Sequence, residues 1–380
     1  MIVFFLLLKS FTKNFYSIDL NFLLSYHLNR ARSYSKNMRR KIKNMYHGRF
    51  KKSHYEAGFN WGKLLYNNGK IISNNHTFKI TDERKKFAKE CLPIYEKYYP
   101  EILEEIKGLA KGQNSSYEDF YTFLLSMYCF EFNNHCTCIA VKDKNNIFFG
   151  RNSDFLVSLE KLYMNCLYNL DNAYAFNGNT TAFIEMEDGI NEYGLAVGLT
   201  FIYPTTIKAG FNAGMLVRYL LEKCKTTDEA ISLLKSVPIA SQQTLTIADR
   251  TGNIVIVECN CEEIEIIRPN KDGNFVTTAN EFNSMKMKKF NNYEVDDWKA
   301  KERYLVAYNT LKEYKNNYSF HLVKDILSGK YGFMCQYDRK TDADTVWSVI
   351  YDIKNNDIYR VEGNPKKKEF KKDTRLKFKV

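Results

Sequence analysis

A thiol, a guanidinium, an amide and a carboxylate, which together could carry acyl transfer, stand within "NNHCTCIAVKDKNNIFFGRNSDF", residues 133 to 155. Alternation places Thr137, Ile139 and Val141 on one face of a strand and Cys136, Cys138 and Ala140 on the other. The polar run "KDKNN" reads as a hairpin turn, and "IFF" as the returning strand. Opposed residues of an antiparallel hairpin have numbers of constant sum, so this turn sets Cys136 opposite residues close to Asn152 and Asp154. Local geometry alone thereby gathers Cys136, Arg151, Asn152 and Asp154.

A cysteine in a strand needs no function, because free cysteine is among the most buried residue types. As a nucleophile, Cys136 needs a base. Of the six histidines, only His321 follows the motif, which leaves one papain-like pairing. A cut between His135 and Cys136 supplies a different base. The freed α-amine, with an ordinary pKa of about 7.7 to 8.0, then sits on the nucleophile's own residue. Arg151 across the hairpin would favour the thiolate, and Asp154 would orient the amine. Acyl chemistry also needs donors aimed at the developing oxyanion. Asn191, in "GINEYGLAVGLTF", and Asn280, after a strand in "FVTTANEF", are candidates, although each also fits ordinary turn chemistry.

The elements that must position these residues change character at the motif. Before residue 130 the pattern is helical. "YEAGFNWGKLLYN" (55 to 67) puts Phe59, Leu64 and Leu65 at helical spacing, and a helix over 82 to 97 follows the cap-like Thr81. Pro100 opens a further helix ending near Gly112, and Ser115 or Ser116 caps one more. After 136, strands are expected at 136–142, 146–150, 163–168, 182–187, 194–200, 244–249, 253–258, 263–267, 345–352 and 357–361. Helices are expected at 212–223, 228–236, 299–314 and 320–328. The sum is an α+β architecture, with sheets covered by helices.

The formal charge of +12 belongs to the chain ends. Residues 1 to 52 hold twelve Lys or Arg and one acid, and residues 365 to 380 hold eight and two, so the body between is acidic. The basicity therefore gives no reason to expect nucleic acid as a partner, although a basic arm could touch RNA or anionic lipid. Residues 1–52 are read as a basic segment, disordered or upstream of the natural start. Residues 53–135 are read as a helical prosegment, 136–364 as the catalytic body and 365–380 as a basic tail. The apolar run opening the chain is seven residues, far short of the ~20 that span a membrane. Nine cysteines scattered through predicted elements point to free thiols in a reducing compartment, read as cytoplasmic, with an atypical secretion signal as the alternative. "CTC" and "CNC" lack zinc-ligand spacing, so neither a metal nor any other cofactor is called for.

Taken together, "HCTCIAV…FFGRNSDF", "GINEYGLAVGLTF", "TTANEF" and "TVWSVIYDIKNNDIYRVEGNP" resemble the N-terminal-nucleophile enzymes that include choloylglycine hydrolases and penicillin V acylases. The prosegment motifs "YEAGFNWGKLL" and "EIKGLAKGQNSSYEDF" make the chain more similar to the acyl-coenzyme A:6-aminopenicillanic acid acyltransferase family, over most of residues 53 to 369. The resemblance implies a four-layer α-β-β-α sandwich, self-cleavage between His135 and Cys136, and an acyl-thioester on Cys136. It implies Arg151 and Asp154 as the supporting pair, Asn191 and Asn280 as polar contacts to the oxyanion or the amine, and an arginine-bearing helix at Arg303 without a firm role. The implied substrate is a small-molecule acyl amide or thioester, and the cleaved prosegment stays bound. Two departures stand out: His135 occupies a place where the family often has glycine, and "TTANEF" replaces the usual "TNHF". The competing readings are a bile-salt or penicillin amidase and a non-catalytic relative whose basic ends bind an anionic partner.

Overall fold

The computed structural model describes residues 46–74, 79–130, 134–315 and 317–375, all within one compact unit. The basic stretch before residue 46 and the last five residues of the basic tail lie outside the described residues.

The first described element corrects the boundary placed at residue 52. Tyr46–Lys52 is a strand, β1, with Gly48 and Phe50 buried and its charged residues facing outward. Four helices follow: α1 (His54–Asn67), α2 (Asp82–Tyr98), α3 (Pro100–Gly112) and α4 (Tyr117–Ser126). Each start has a local cause. Ser53 and Glu56 close a capping box on α1, Thr81 and Ser116 cap α2 and α4, and Pro100 occupies the first turn of α3. The buried face of α1 differs from the Phe59–Leu64–Leu65 line. Ala57, Gly58, Trp61 and Gly62 are buried, whereas Leu64 is 43% exposed. Close contact with α3 decides this. A Cβ on Gly58 would lie 2.1 Å from the Glu105 carbonyl oxygen, and one on Gly108 would lie 2.1 Å from that of Tyr55. Gly62 and Gly112 repeat the arrangement one turn on, so the two backbones touch where side chains would hold them apart.

The strand-rich body then runs β2 (His135–Lys142), β3 (Ile147–Leu156), β4 (Met164–Leu170), β5 (Phe176–Thr180), β6 (Asp188–Asn191) and β7 (Ala196–Phe201). Helices α5 (Ala213–Lys223) and α6 (Thr227–Ser236) precede β8 (Gln243–Ala248), β9 (Ile254–Cys259), β10 (Ile264–Ile267) and β11 (Phe275–Thr278). Then come α7 (Ala300–Glu313), α8 (Phe320–Leu327), β12 (Ala343–Asp352), β13 (Asp357–Val361) and β14 (Lys371–Lys372). The strand expected over 182–187 is instead a connection between β5 and β6, because Phe183 takes φ 58° and breaks the extended chain. The start of the basic tail also differs from expectation: β14 pairs with β13, and Arg375 joins Asp373 and Glu362.

Two sheets stack. The larger has the order β1-β4-β5-β6-β7-β8-β9-β10, with β1 parallel to β4 and the other pairs antiparallel; the smaller is antiparallel, in the order β11-β2-β3-β12-β13-β14. Cys138, Ala140, Phe149 and Val349 of the smaller sheet meet Ile190, Ala196 and Ala248 of the larger. On the outer face of the smaller sheet, Ile139, Val141 and Phe148 pack under Leu311 of α7 and Val323 of α8. The outer face of the larger sheet carries the front helices together with α5 and α6. The layers are therefore α-β-β-α, the four-layer sandwich expected, and period-2 alternation in β2 serves both inner and outer contacts.

One buried charge cluster ties the front helices to the body. Arg218 of α5 donates to Glu105 of α3 at 2.8 Å, to Glu222 one turn on, and to the Ile184 carbonyl at 2.9 Å. His54 (2.9 Å) and Tyr99 (2.6 Å) close on Glu222. Burial alone would raise the Glu222 carboxyl, but Arg218 and these hydrogen bonds bring it down to about 2. Among the described residues no helix is long and apolar enough to cross a membrane, and no group of His, Cys, Asp and Glu is placed to hold a metal. All nine cysteines are free.

Candidate active site

The β2–β3 hairpin has the register expected from its turn: Cys136 faces Ser153, His135 faces Asp154 and Cys138 faces Arg151. The pleat directs Cys136 and Arg151 into the space between the sheets. There, Arg151 Nη2 donates to Cys136 Sγ at 2.7 Å and the thiol donates to Asn134 Oδ1 at 2.8 Å. Arg151 is itself held by the Leu199 carbonyl (3.1 Å), Asp188 (3.0 Å) and Glu187 (3.3 Å). Asp188 in turn accepts from Tyr351 (2.6 Å) and from Trp347 Nε1 (3.1 Å). Burial pushes the Cys136 thiol well above its ordinary range, against the opposing pull of Arg151. The sulfur is thus a protonated thiol within reach of a cation.

Two further residues hold the backbone of Cys136. Asn280, just past β11, accepts from the Cys136 N–H at 2.9 Å through Oδ1, while its Nδ2 donates to the Phe201 carbonyl at 2.7 Å and the Asn134 carbonyl at 3.4 Å. Its oxygen therefore addresses the nitrogen that would become the α-amine. Arg303, fully buried on α7, donates to the Cys136 carbonyl (2.6 Å), to Thr137 Oγ1 (2.9 Å) and to Asn280 Oδ1 (2.9 Å). The turn before α7 fixes that arginine through the Trp298 and Asp297 carbonyls, both at 3.0 Å. The same turn lays Trp298 flat on His135, with ring centroids 4.4 Å apart. Burial, then the charge of Arg303, pushes the His135 ring well below its ordinary pKa, so it is neutral. A small cleft lined by His135, Phe201, Tyr203, Asn280, Asn291 and Tyr293 opens beside His135.

Asp154 belongs to the outer side of the hairpin. It accepts from Thr345 Oγ1 and, at 3.0 Å, from Tyr337, and Arg303 Nη1 lies 3.5 Å away. Burial raises its carboxyl to about 6, although Arg303 and these hydrogen bonds pull the other way.

The structure thus brings Cys136, His135, Arg151, Asp154, Asn280 and Arg303 together. It places two sequence candidates elsewhere. Asn191 gives its amide hydrogens to the Leu221 (3.0 Å) and Cys224 (2.7 Å) carbonyls, and its oxygen accepts the Tyr193 and Leu195 N–H groups. It is a turn and helix-end residue, the competing reading for an asparagine beside glycine. Asn152 bonds the Leu327 carbonyl (2.9 Å) and Ser348 (2.6 Å), tying α8 to the sheet. His321 is exposed on α8, with its ring against Phe320. Sequence reasoning missed Asn134, Glu187 and Asp188. The signal for the last two was the run of three acids, Glu185, Glu187 and Asp188, in "IEMEDG", where the connection enters β6.

The model of the acyl-coenzyme A:6-aminopenicillanic acid acyl-transferase family matches residues 141–367, a span that includes Arg151, Asp154, Asn280 and Arg303. No curated protein matches the chain. Among solved structures the chain is similar to penicillin V acylase from Agrobacterium tumefaciens, at 13% identity, covering 60% of this chain and 82% of that one, with a TM-score of 0.41. It is also similar to a mutant conjugated bile acid hydrolase from Clostridium perfringens, at 15% identity, covering 64% and 99%, with a TM-score of 0.41. With more than half of its length matched by the family's model, the chain belongs to the acyl-coenzyme A:6-aminopenicillanic acid acyl-transferase family.

Proposed function

We propose that the protein is a self-cutting cysteine N-terminal-nucleophile enzyme, which hydrolyses a linear amide or transfers its acyl group through a thioester on Cys136. The observation that carries this reading is the double hold on one residue: Arg151 on the thiol, Asn280 on the N–H. A merely structural cysteine has no need of either contact.

In the first step Cys136 Sγ attacks the His135 carbonyl carbon. A C–S bond forms, the C–N bond breaks, and the thiol proton ends on the Cys136 nitrogen. Water then hydrolyses the thioester, leaving a carboxylate on His135 and a free thiol. The new α-amine, a group whose ordinary pKa is about 7.7 to 8.0, remains against Asn280 Oδ1 and serves as base in turnover. It takes the thiol proton as Cys136 attacks the substrate carbonyl and returns it to the departing amine. Water resolves the acyl-enzyme to an acid, and an acceptor amine resolves it to a new amide. The substrate is a small acyl amide or acyl thioester.

Intact-mass measurement with N-terminal sequencing tests the reading. By proportion of length, the 44.7 kDa chain should give fragments of about 16 and about 29 kDa, the larger beginning Cys-Thr-Cys. A single 44.7 kDa chain would overturn the self-cutting step, and a Cys136 that also fails to react with iodoacetamide would overturn the nucleophile.

A further inference from the structure

The cutting step proposed above lacks the base that turnover uses, because the Cys136 nitrogen is still an amide. Something else must present the thiol to its own peptide bond. The thiol donates to Asn134 Oδ1 (2.8 Å), and Asn134 Nδ2 donates to Glu187 Oε2 (2.9 Å). The same carboxylate oxygen accepts from Ser153, the residue facing Cys136 across the hairpin, at 3.1 Å and from Arg151 Nη2 at 3.3 Å. Thr181 anchors the other oxygen, with its backbone N–H at 2.9 Å and its hydroxyl also bonded. Glu187 therefore fixes both side chains that touch the sulfur, and all of these groups are buried.

Resting on the self-cutting reading, we infer that Asn134 and Glu187 are a positioning pair for the cut alone, taken apart by the cut itself. A carboxylate accepts and cannot donate, so Glu187 forces Asn134 to turn its NH2 toward the acid and its oxygen toward the thiol. A flipped amide would offer a donor to the S–H and release its direction. With the flip forbidden, the S–H bond is aimed at Asn134, Arg151 takes one sulfur lone pair, and the other is left to the scissile carbonyl. Asn134 lies on the far side of the scissile bond, so the cut frees its end of the chain to withdraw from the sulfur while the rest of the prosegment stays bound. The new amine then takes over the thiol proton, and the place beside the sulfur passes to substrate.

Pulse-chase of the full chain made by cell-free synthesis measures the cutting rate in Asn134→Ala, Asn134→Asp, Glu187→Gln and the double variant Asn134→Asp/Glu187→Gln. Each single change should slow cutting by about 10²-fold, the scale of a misplaced reacting group. The double variant exchanges donor and acceptor across the same contact and should recover to within about tenfold of the parent. A merely structural pair would show no such rescue. Asn134→Asp is isosteric and carries the test if the alanine variant is insoluble. Cutting of the parent before Cys136, together with cutting of Asn134→Ala within threefold of it, would overturn the pair and leave the self-cutting reading standing. A double variant no faster than the single ones would also overturn the pair. An uncut parent chain would sink both.

Discussion

Two buried arginines use the same partners to opposite ends. Arg218 and Arg151 are both fully buried, each beside two carboxylates and an aromatic ring: Glu105, Glu222 and Tyr168 for the first, Glu187, Asp188 and Trp347 for the second. Around Arg218 each of the three guanidinium nitrogens meets an oxygen, and His54 and Tyr99 close on Glu222, while Glu105 Oε1 is buried without a partner among the described residues. Around Arg151 each nitrogen also meets an oxygen, but Nη2 is divided between Glu187 and the Cys136 sulfur. The first cluster, made of nitrogen and oxygen alone, fixes the position of α3 against α5. The second shares its cation with a thiol, and that is the arrangement from which a nucleophile can be made.

The contrast can be broken most forcefully at Arg218. Arg218→Met strands Glu105 and Glu222 without a cation, so it should cost about 3–5 kcal/mol by chemical denaturation. Folded molecules should still cut at the parent rate, and a slowed cut would show that the two clusters are not independent. Asp154→Asn comes next. With its carboxyl raised to about 6 from an ordinary 3.8, Asp154 binds its proton more tightly in the folded state. Its contribution to stability is full below about pH 4 and drains away as pH rises through about 6, by about 3 kcal/mol in all. The variant should lose that drop between pH 4 and pH 7 in its urea midpoints. An unchanged drop would mean that Asp154 is charged throughout, as a partner of Arg303. Arg151→Lys keeps the charge but loses the planar fork, so cutting and turnover should each fall about 10²-fold with little change in melting temperature. Full rate in that variant would make the contact with sulfur incidental. Asn191→Ala should have the smallest effect, a loss of about 1–2 kcal/mol from carbonyls left unpaired at the end of α5, with turnover unchanged. A 10²-fold fall in turnover would return Asn191 to the site.

What the sequence discloses and conceals follows from how each part is specified. The hairpin was legible because a period of two and a short turn set the register between them, so the neighbours of Cys136 followed by counting. The front helices were legible from caps and Pro100, but the buried face of α1 was not. Apolar spacing points to Leu64 and Leu65, whereas packing is decided by glycines, whose contribution is the absence of a side chain. Strand β1 was hidden by its charge. Lysine and arginine on the outward positions of an edge strand discourage pairing with other chains, and in sequence they look like a solvated arm. Glu187 and Asp188 were concealed because buried acids are recognised by their partners, and the partners on β3, Arg151 and Ser153, lie 34 to 37 residues away. Asn280 was a candidate from its place after a strand and Arg303 came through resemblance alone, and the structure joins them at one contact of 2.9 Å.

Strand β1 and helices α1 to α4 all precede residue 135, yet β1 is an edge of the larger sheet and the helices cover its outer face. In the proposed two-chain form, this gives the molecule a one-way history. Before the cut, an unfolded chain carries every piece of its sheet with it, and recovery is independent of how dilute the solution is. After the cut, unfolding is also dissociation, so recovery becomes a second-order encounter that slows with dilution. A single broken peptide bond would thus turn a reversible equilibrium into a concentration-dependent hysteresis, and thermal half-life rather than free energy would describe the durability of the mature protein.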